Sequence, residues 1–256
     1  MSKIGRAQPV VKRVLRPLFN LLWDITVEGE ENIPKEGPAV LCPNHISVID
    51  SFMVPSVIDR AMMYVGKAEY LDDWKTRRLF PALGMIPIDR RGGEHAASAL
   101  EAAKSVLQSG GLFGIYPEGT RSRSGKLHKG HTGAARLALE TGAPIIPVGL
   151  IGTREIQPPD QSLPTPFRKA TIKFGTPIDT SRYADRIGDR ALYREITDEL
   201  MFEIQALCGL EYEDTYAGAK KVAATAATPA KDEVSVPTID RRSSTDVLKP
   251  RPLVGV

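Results

Sequence analysis

Short apolar runs alternate with stretches of helical period along most of the chain. The apolar runs predict strands, after a short first strand within 27–37, at 38–42, 61–66, 85–88, 112–116, 144–151 and 170–174. Apolar residues spaced three or four apart predict helices at 49–58, 71–83, 94–109, 131–141 and 190–212. Nearly uninterrupted apolar strands are typical of a sheet covered on both faces. We therefore predict a single α/β domain with a largely parallel central sheet flanked by helices.

The two ends of the chain differ from this middle part. Residues 1–26 are basic and amphipathic, and Pro17 is expected to kink them or to split them into two short helices. One interpretation is an interfacial segment whose Phe19, Trp23 and leucines enter a lipid surface; the other is an ordinary surface helix. We predict a membrane-interface segment at 1–26, one domain at 27–215, and a disordered tail at 216–256, where no apolar period continues.

Composition restricts the class of protein only mildly. The 256 residues carry a formal net charge of +3, and the two cysteines form neither a disulfide framework nor a zinc pattern, which suits a reducing compartment. No apolar stretch reaches the length of a membrane span, and the N-terminus lacks a signal-peptide pattern. His128 and His131 have a metal-like spacing, but no cysteine or carboxylate pattern completes a site, so we expect no metal.

A histidine and an aspartate five positions apart follow the strand predicted at 38–42. Within one regular helix or strand the side chains of His45 and Asp50 would diverge, so they can meet only at a strand-to-helix junction. There Asp50 would hold one ring nitrogen of His45 and leave the other as a general base. Alternatively, Asp50 belongs to a helix-capping box that begins at Ser47. The spacing leaves both interpretations open.

Polar and basic residues follow three further predicted strands. Lys67, Arg90 and the segment Glu118-Gly119-Thr120-Arg121 would reach the same rim as His45, because ligands of parallel sheets bind at the carboxyl ends of the strands. Cations there suit a phosphate group, although each could equally be a solvated surface residue. Glu118 is expected to orient Arg121 or a substrate hydroxyl. The basic loop after it lacks aromatic residues, which disfavours nucleic acid. Together these groups predict proton abstraction from a phosphate-bearing, lipid-like alcohol.

Four sequence blocks carry a resemblance to a known family. They read NHISVID at 44–50, GMIPIDR at 84–90, YPEGTRS at 116–122 and IIPV at 145–148, with a GKxE segment at 66–69. In this order they resemble the blocks of the glycerolipid acyltransferases, the family typified by 1-acylglycerol-3-phosphate acyltransferase, over roughly residues 25–180. Tyr116 stands where that family usually has phenylalanine. A short amphipathic segment also replaces the family's frequent longer hydrophobic anchor.

The resemblance implies that the domain at 27–215 moves a fatty acyl group from acyl-CoA or acyl carrier protein to the free hydroxyl of 1-acylglycerol-3-phosphate (lysophosphatidic acid), forming phosphatidic acid. We expect no cofactor and, from the amphipathic N-terminal segment, a peripheral location at the cytoplasmic face of the cell membrane. His45, oriented by Asp50, would be the general base. The residues implied to bind the acceptor are Arg90, with Lys67 as a helper, and Glu118, Gly119, Thr120 and Arg121.

Other functions remain open on the sequence alone. Glycerol-3-phosphate or another lysophospholipid would suit the same residues as acceptor. A non-catalytic module that binds anionic lipid would use the basic rim but would not need the His45–Asp50 pair. A phosphate-ester hydrolase or transferase is disfavoured, because the chain has no Walker loop, metal cluster or aspartyl-nucleophile motif.

Overall fold

The computed structural model describes residues 8–67, 71–72, 74, 76–88 and 95–218, and its centre is a seven-stranded sheet. In chain order the strands are β1 (Trp23–Glu28), β2 (Ala39–Pro43), β3 (Met62–Lys67), β4 (Met85–Ile88), β5 (Leu112–Gly114), β6 (Leu127–His128), β7 (Ile145–Ile151), β8 (Arg168–Phe174) and β9 (Tyr212–Glu213). The sheet order is β1-β8-β7-β2-β5-β3-β4, and only the β7–β8 pair is antiparallel. This confirms the predicted fold class.

Helices cover both faces of the sheet. They are α1 (Gln8–Leu22), α2 (Asp50–Val57), α3 (Thr76–Ala82), α4 (His95–Gln108), α5 (Gly133–Thr141), α6 (Thr153–Ile156) and α7 (Arg190–Cys208). One apolar cluster joins the sheet to α1 and α2, and a second joins it to α4, α5 and α7. The central strand β2 contributes to both, since Leu41 packs in the first cluster and Val40 and Cys42 pack in the second.

The N-terminal segment differs from the sequence prediction. Pro17 lies inside one continuous helix, α1, which packs on the core through Leu15 and Leu22 on either side of the proline. The first strand begins at Trp23, so the helical segment ends four residues earlier than expected. Phe19 and Trp23 are buried against each other in the core, with ring centroids 5.2 Å apart. The expectation that these two aromatic residues enter a lipid surface is therefore wrong.

Buried polar contacts attach α1 to the sheet. The Gln8 amide donates to the carbonyls of Met62 and Leu83 and accepts from the Met62 amide, and Lys12 donates to the carbonyls of Ile58 and Arg60. Burial lowers the Lys12 pKa to about 8, with Asp59 opposing the shift. One face of α1 is thus an internal packing surface, as the surface-helix interpretation requires.

The opposite face of α1 exposes apolar side chains. Val10, Val14, Leu18 and Leu21 recur at helical spacing, and Leu21 is 72% exposed. Arg13 and Arg16 are exposed on the same helix. Among the described helices, none is both long and apolar enough to cross a bilayer. The helix therefore combines a packed face with an unpartnered apolar one.

A small second sheet was not predicted. α7 ends at Cys208 because Gly209 adopts a left-handed conformation (φ 69°) that closes the helix, so the chain leaves the helix before residue 212. Strand β9 then pairs in parallel with β6. We call residues 211–216 the C-terminal strap. The predicted tail beyond residue 218 lies outside the described residues.

Candidate active site

His45 and Asp50 meet at the junction between β2 and α2. Asp50 is the first residue of α2, and its Oδ2 lies 2.9 Å from His45 Nδ1. The same oxygen accepts from the amides of Ile46 and Ser47, at 2.9 and 2.8 Å. Asp50 is fully buried, so this carboxylate both secures the turn and orients the imidazole. The capping box expected from Ser47 is only half formed: Asp50 accepts from the Ser47 amide, but Ile49 is the N-cap of α2 and provides no side-chain cap. The contact with His45 assigns the proton to Nδ1 and leaves Nε2 as the basic nitrogen.

Tyr116 holds the other side of the imidazole. Its ring stacks on His45 with a centroid separation of 3.7 Å and an interplanar angle of 13°. A hydrogen bond of 3.1 Å joins its hydroxyl to that of Ser51 on α2. Burial raises the pKa of Tyr116 well above its usual value, so the phenol stays neutral. The sequence marked Tyr116 only as a departure from phenylalanine; its contact with His45 depends on the folded geometry.

Glu118 connects the His45 loop to β6. One carboxylate oxygen accepts from the His45 amide at 3.0 Å and the other from the His128 amide at 2.9 Å. The Ser122 amide, in the same block, donates to the His45 carbonyl at 2.7 Å. Burial raises the Glu118 pKa to about 7, although both amide bonds lower it. We expected Glu118 to orient Arg121. This is wrong, because the buried carboxylate accepts hydrogen bonds from two backbone amides instead.

The next three residues of the block face outward. Gly119 has φ 72°, a backbone conformation that favours glycine, and a Cβ there would lie only 3.0 Å from the His131 ring. Thr120 is exposed and Arg121 is half-buried. Within the described part of the chain, Arg121 forms no ion pair. Its guanidinium is thus available for an anion.

The remaining two candidates are only partly visible. Lys67 is the last residue of β3, at the carboxyl edge of the sheet, and its side chain lies outside the described residues. Arg90 lies outside them altogether. The structure thus brings together His45, Asp50 and the block at 118–121, and leaves the positions of the two other cations as sequence predictions.

His128 and His131 do not form a shared site. The His128 ring contacts the Ser124 hydroxyl at 2.8 Å and the Thr215 carbonyl at 3.2 Å, whereas the His131 ring stacks on Tyr216. In the part of the chain that the structure describes, no group of three His, Cys, Asp or Glu side chains is arranged to hold a metal ion.

A cavity of about 580 Å³ opens beside Tyr116 at the carboxyl ends of β3 and β5, against α4 and α5. Its walls include Tyr64, Leu100, Ile115, Tyr116, His131 and Tyr216. A second groove, of about 620 Å³, runs between α1 and α2 and is lined by Lys12, Arg13 and Arg16. The first of these two borders Tyr116, which stacks on His45, so we associate it with the candidate site.

Comparison with known proteins decides the family. Residues 24–151, half of the chain, match the family model described as Acyltransferase. The chain belongs to the acyltransferase family. The matched region contains His45, Asp50, Tyr116 and Glu118, which are the residues that build the site described above.

Relatives in this acyltransferase family include proteins named for one reaction. A 1-acyl-sn-glycerol-3-phosphate acyltransferase of Borreliella burgdorferi is 33% identical over 129 residues, covering 50% of this chain and 52% of that protein. A chloroplastic enzyme of the same name from Arabidopsis thaliana is 29% identical over 137 residues, covering 53% and 38%. This chain thus spans about half the length, or less, of these two relatives.

A solved acyltransferase structure is similar over a longer stretch. The crystal structure of the 1-acyl-sn-glycerophosphate (LPA) acyltransferase PlsC from Thermotoga maritima superimposes with a TM-score of 0.63 at 25% identity. The superposition covers 78% of this chain and 79% of the other. Similarity therefore extends beyond the matched family region to most of the α/β domain.

Proposed function

We propose that this chain transfers a fatty acyl group from an acyl thioester to the free hydroxyl of 1-acylglycerol-3-phosphate, forming phosphatidic acid. The observation that carries the proposal is the 2.9 Å contact between His45 Nδ1 and Asp50 Oδ2, which leaves Nε2 as a base. Two relatives and the similar solved structure carry names for the same acyl transfer, which supports the choice of substrate.

The proposed reaction needs no covalent enzyme intermediate. His45 Nε2 takes the proton from the acceptor hydroxyl as that oxygen attacks the thioester carbonyl. The tetrahedral intermediate then expels the thiolate, which receives this proton from the imidazolium and leaves as the thiol. Asp50 stabilises the transient positive charge on His45. The two cysteines, Cys42 and Cys208, are buried, and burial raises their pKa values, so neither is a competing nucleophile.

We assign the acceptor phosphate to the cations at the rim. Arg90, with Lys67 as a helper, and Arg121 would bind the phosphate, and Thr120 would offer its hydroxyl to the acceptor. The exposure of Thr120 and the lack of an ion pair at Arg121 within the described residues support this assignment. Glu118 is proposed as a positioning residue, because its contacts are with the amides of His45 and His128.

We also propose that the protein works as a peripheral protein on the cytoplasmic face of the cell membrane. The exposed stripe of Val10, Val14, Leu18 and Leu21 supports this, since an apolar helix face beside arginines suits the boundary between headgroups and acyl chains. The donor is proposed to be the thioester of CoA or of acyl carrier protein, with no further cofactor.

The test is thiol release by the purified full chain from palmitoyl-CoA, with lysophosphatidic acid or glycerol-3-phosphate as acceptor, beside the variant His45→Ala. We expect release only when an acceptor is present, faster with lysophosphatidic acid, and at least a thousandfold slower in the variant, an order of magnitude typical for loss of a catalytic base. Faster turnover of glycerol-3-phosphate would reassign the acceptor.

The absence of thiol release would also give a clear answer. Equal, negligible release by wild type and His45→Ala, with both palmitoyl-CoA and palmitoyl-acyl carrier protein, would overturn the proposed activity. Retained binding to anionic vesicles in that case would favour the lipid-binding module.

A further inference from the structure

The C-terminal strap reaches the candidate site from outside the region that the family model matches. Its backbone bonds to the segment after the block at 116–122: the Leu127 amide donates to the Glu211 carbonyl at 2.8 Å, and the Lys129 amide donates to the Thr215 carbonyl at 3.0 Å. Ion pairs from Lys126 to Glu211 (2.7 Å) and from Lys129 to Asp214 (2.9 Å) accompany them. The strap is thereby held next to the candidate site.

The last strap residue, Tyr216, reaches the rim of the 580 Å³ cavity. Its ring stacks on His131 with centroids 4.5 Å apart and planes at 15°. The His131 ring in turn lies over Gly119, whose missing side chain provides the space. A stack of contacts therefore leads from Gly119 in the candidate site through His131 to Tyr216.

The cavity lies next to the residue that stacks on His45. Tyr116 borders the cavity and stacks on His45, so a thioester next to His45 would lie beside the cavity. Leu100, Ile115 and Val65 supply an apolar lining. A volume of about 580 Å³ lies within the range of roughly 300–1,000 Å³ that is usual for small-molecule sites.

Two further features of the cavity favour an apolar ligand. Arg136 borders it, but its guanidinium is paired with Glu140 at 2.7 Å, so its charge is already compensated. Tyr216 is 42% exposed, although its ring stacks on His131. A chain of methylene groups would cover this exposed surface without requiring a charge partner.

On this basis, and resting on the proposed function, we propose that the cavity holds the acyl chain of the thioester donor, and that Tyr216 is a donor-binding residue. The ring of Tyr216 would contact the chain at the rim of the cavity, supported from behind by His131. The strap thus contributes a substrate contact from a part of the sequence that carries no recognisable motif.

The experiment compares wild type with Tyr216→Ala and Tyr216→Phe in full-length protein. KM for palmitoyl-CoA, KM for lysophosphatidic acid, and kcat are measured for each. Phe202→Ala is the matched control, because Phe202 is an exposed aromatic residue on α7 that does not border the cavity. We expect Tyr216→Ala to raise the donor KM about tenfold, the effect of losing contact with one or two methylene groups.

The conservative variant and the second substrate make the result specific. Tyr216→Phe keeps the ring and should retain the wild-type donor KM within about twofold, and neither variant should change kcat or acceptor KM by more than about twofold. Equal donor KM values in Tyr216→Ala, Phe202→Ala and wild type would overturn the proposal. So would an effect confined to the acceptor KM.

A binding measurement separates this proposal from the proposed function. Palmitoyl-CoA is titrated into His45→Ala protein, with and without Tyr216→Ala, in the absence of acceptor. A Kd about tenfold weaker in the double variant supports the cavity assignment even if wild type shows no turnover. An unchanged Kd overturns the role of Tyr216, whereas turnover by wild type would leave the acyl transfer itself intact.

Discussion

Replacing Asp50 by asparagine tests whether this residue acts through its charge or only through its shape. Oδ2 of Asp50 accepts three hydrogen bonds, from His45 Nδ1, the Ile46 amide and the Ser47 amide, whereas Oδ1 has no partner among the described residues. An asparagine with its oxygen in the Oδ2 position keeps all three contacts and puts its NH₂ group in the Oδ1 position. Asp50→Asn therefore removes the negative charge and preserves the local geometry.

The magnitude follows from the separation of the charges. In the proposed transition state the imidazolium and the carboxylate have charge centres roughly 4 Å apart, worth about 4 kcal/mol at an effective dielectric constant of roughly 20. The amide oxygen retains part of this stabilisation through its dipole. We expect a loss of about 2–3 kcal/mol, which lowers kcat by a factor of about 30–150. Substrate binding does not use this charge, so KM should stay within about twofold.

The assay is thiol release from palmitoyl-CoA with lysophosphatidic acid, and the control is Asp59→Asn. Asp59 is exposed and pairs with Arg16 at 3.1 Å, away from His45, so its variant should keep wild-type kcat. Asp50→Asn also removes a buried charge, and its free energy of unfolding should stay within about 2 kcal/mol of wild type. If Asp50→Asn is folded and loses less than fivefold in kcat, the carboxylate does not stabilise the imidazolium.

Three further predictions concern stability and membrane binding. The folded-state pKa of Glu118 is about 7 and its ordinary value is 4.5, so the folded protein binds one more proton than the unfolded chain between these pH values. As pH rises from 4.5 to 7, the free energy of unfolding of wild type should therefore fall by up to about 3 kcal/mol relative to that of Glu118→Gln, as measured by denaturant titration. Gln8→Leu leaves three buried backbone groups unpaired and should cost about 2–4 kcal/mol in urea unfolding. Leu18→Glu with Leu21→Glu should weaken co-sedimentation with anionic vesicles about tenfold, and equal weakening by the control Phe202→Glu would contradict the assigned face.

Local periodicity predicted most of the fold. The apolar runs at 38–42 and 144–151 are β2 and β7, and the helix expected at 94–109 is α4. These elements were readable because each is buried along its full length or on one helical face, which leaves a direct pattern in the sequence. The His45–Asp50 contact was also predictable, since the spacing of five residues is compatible with contact only at a strand-to-helix junction.

The features that were missed depend on partners distant in sequence. Trp23 reads as part of an apolar helix, yet it begins β1, because residues 23–28 pair with β8 some 145 positions later. The strap has only two residues in a strand and no periodicity, and it is defined by its contacts with residues 127–131. In the sequence Glu118 is close to Arg121, which suggests an ion pair. Its actual partners are backbone amides, and every residue except proline has one, so no residue type in the sequence marks them.

The separate sequence blocks form one physical support for the His45 loop. On one side, Tyr116 stacks on the His45 ring and Glu118 binds its amide, so the block at 116–122 fixes both ring and backbone. On the other side, the fully buried Asn44 donates to the Leu150 carbonyl and accepts from the Leu150 amide, which attaches the loop to β7. The His45 loop is therefore held from two sides, by the segment that follows β5 and by β7. Loss of either attachment should lower activity through the orientation of His45.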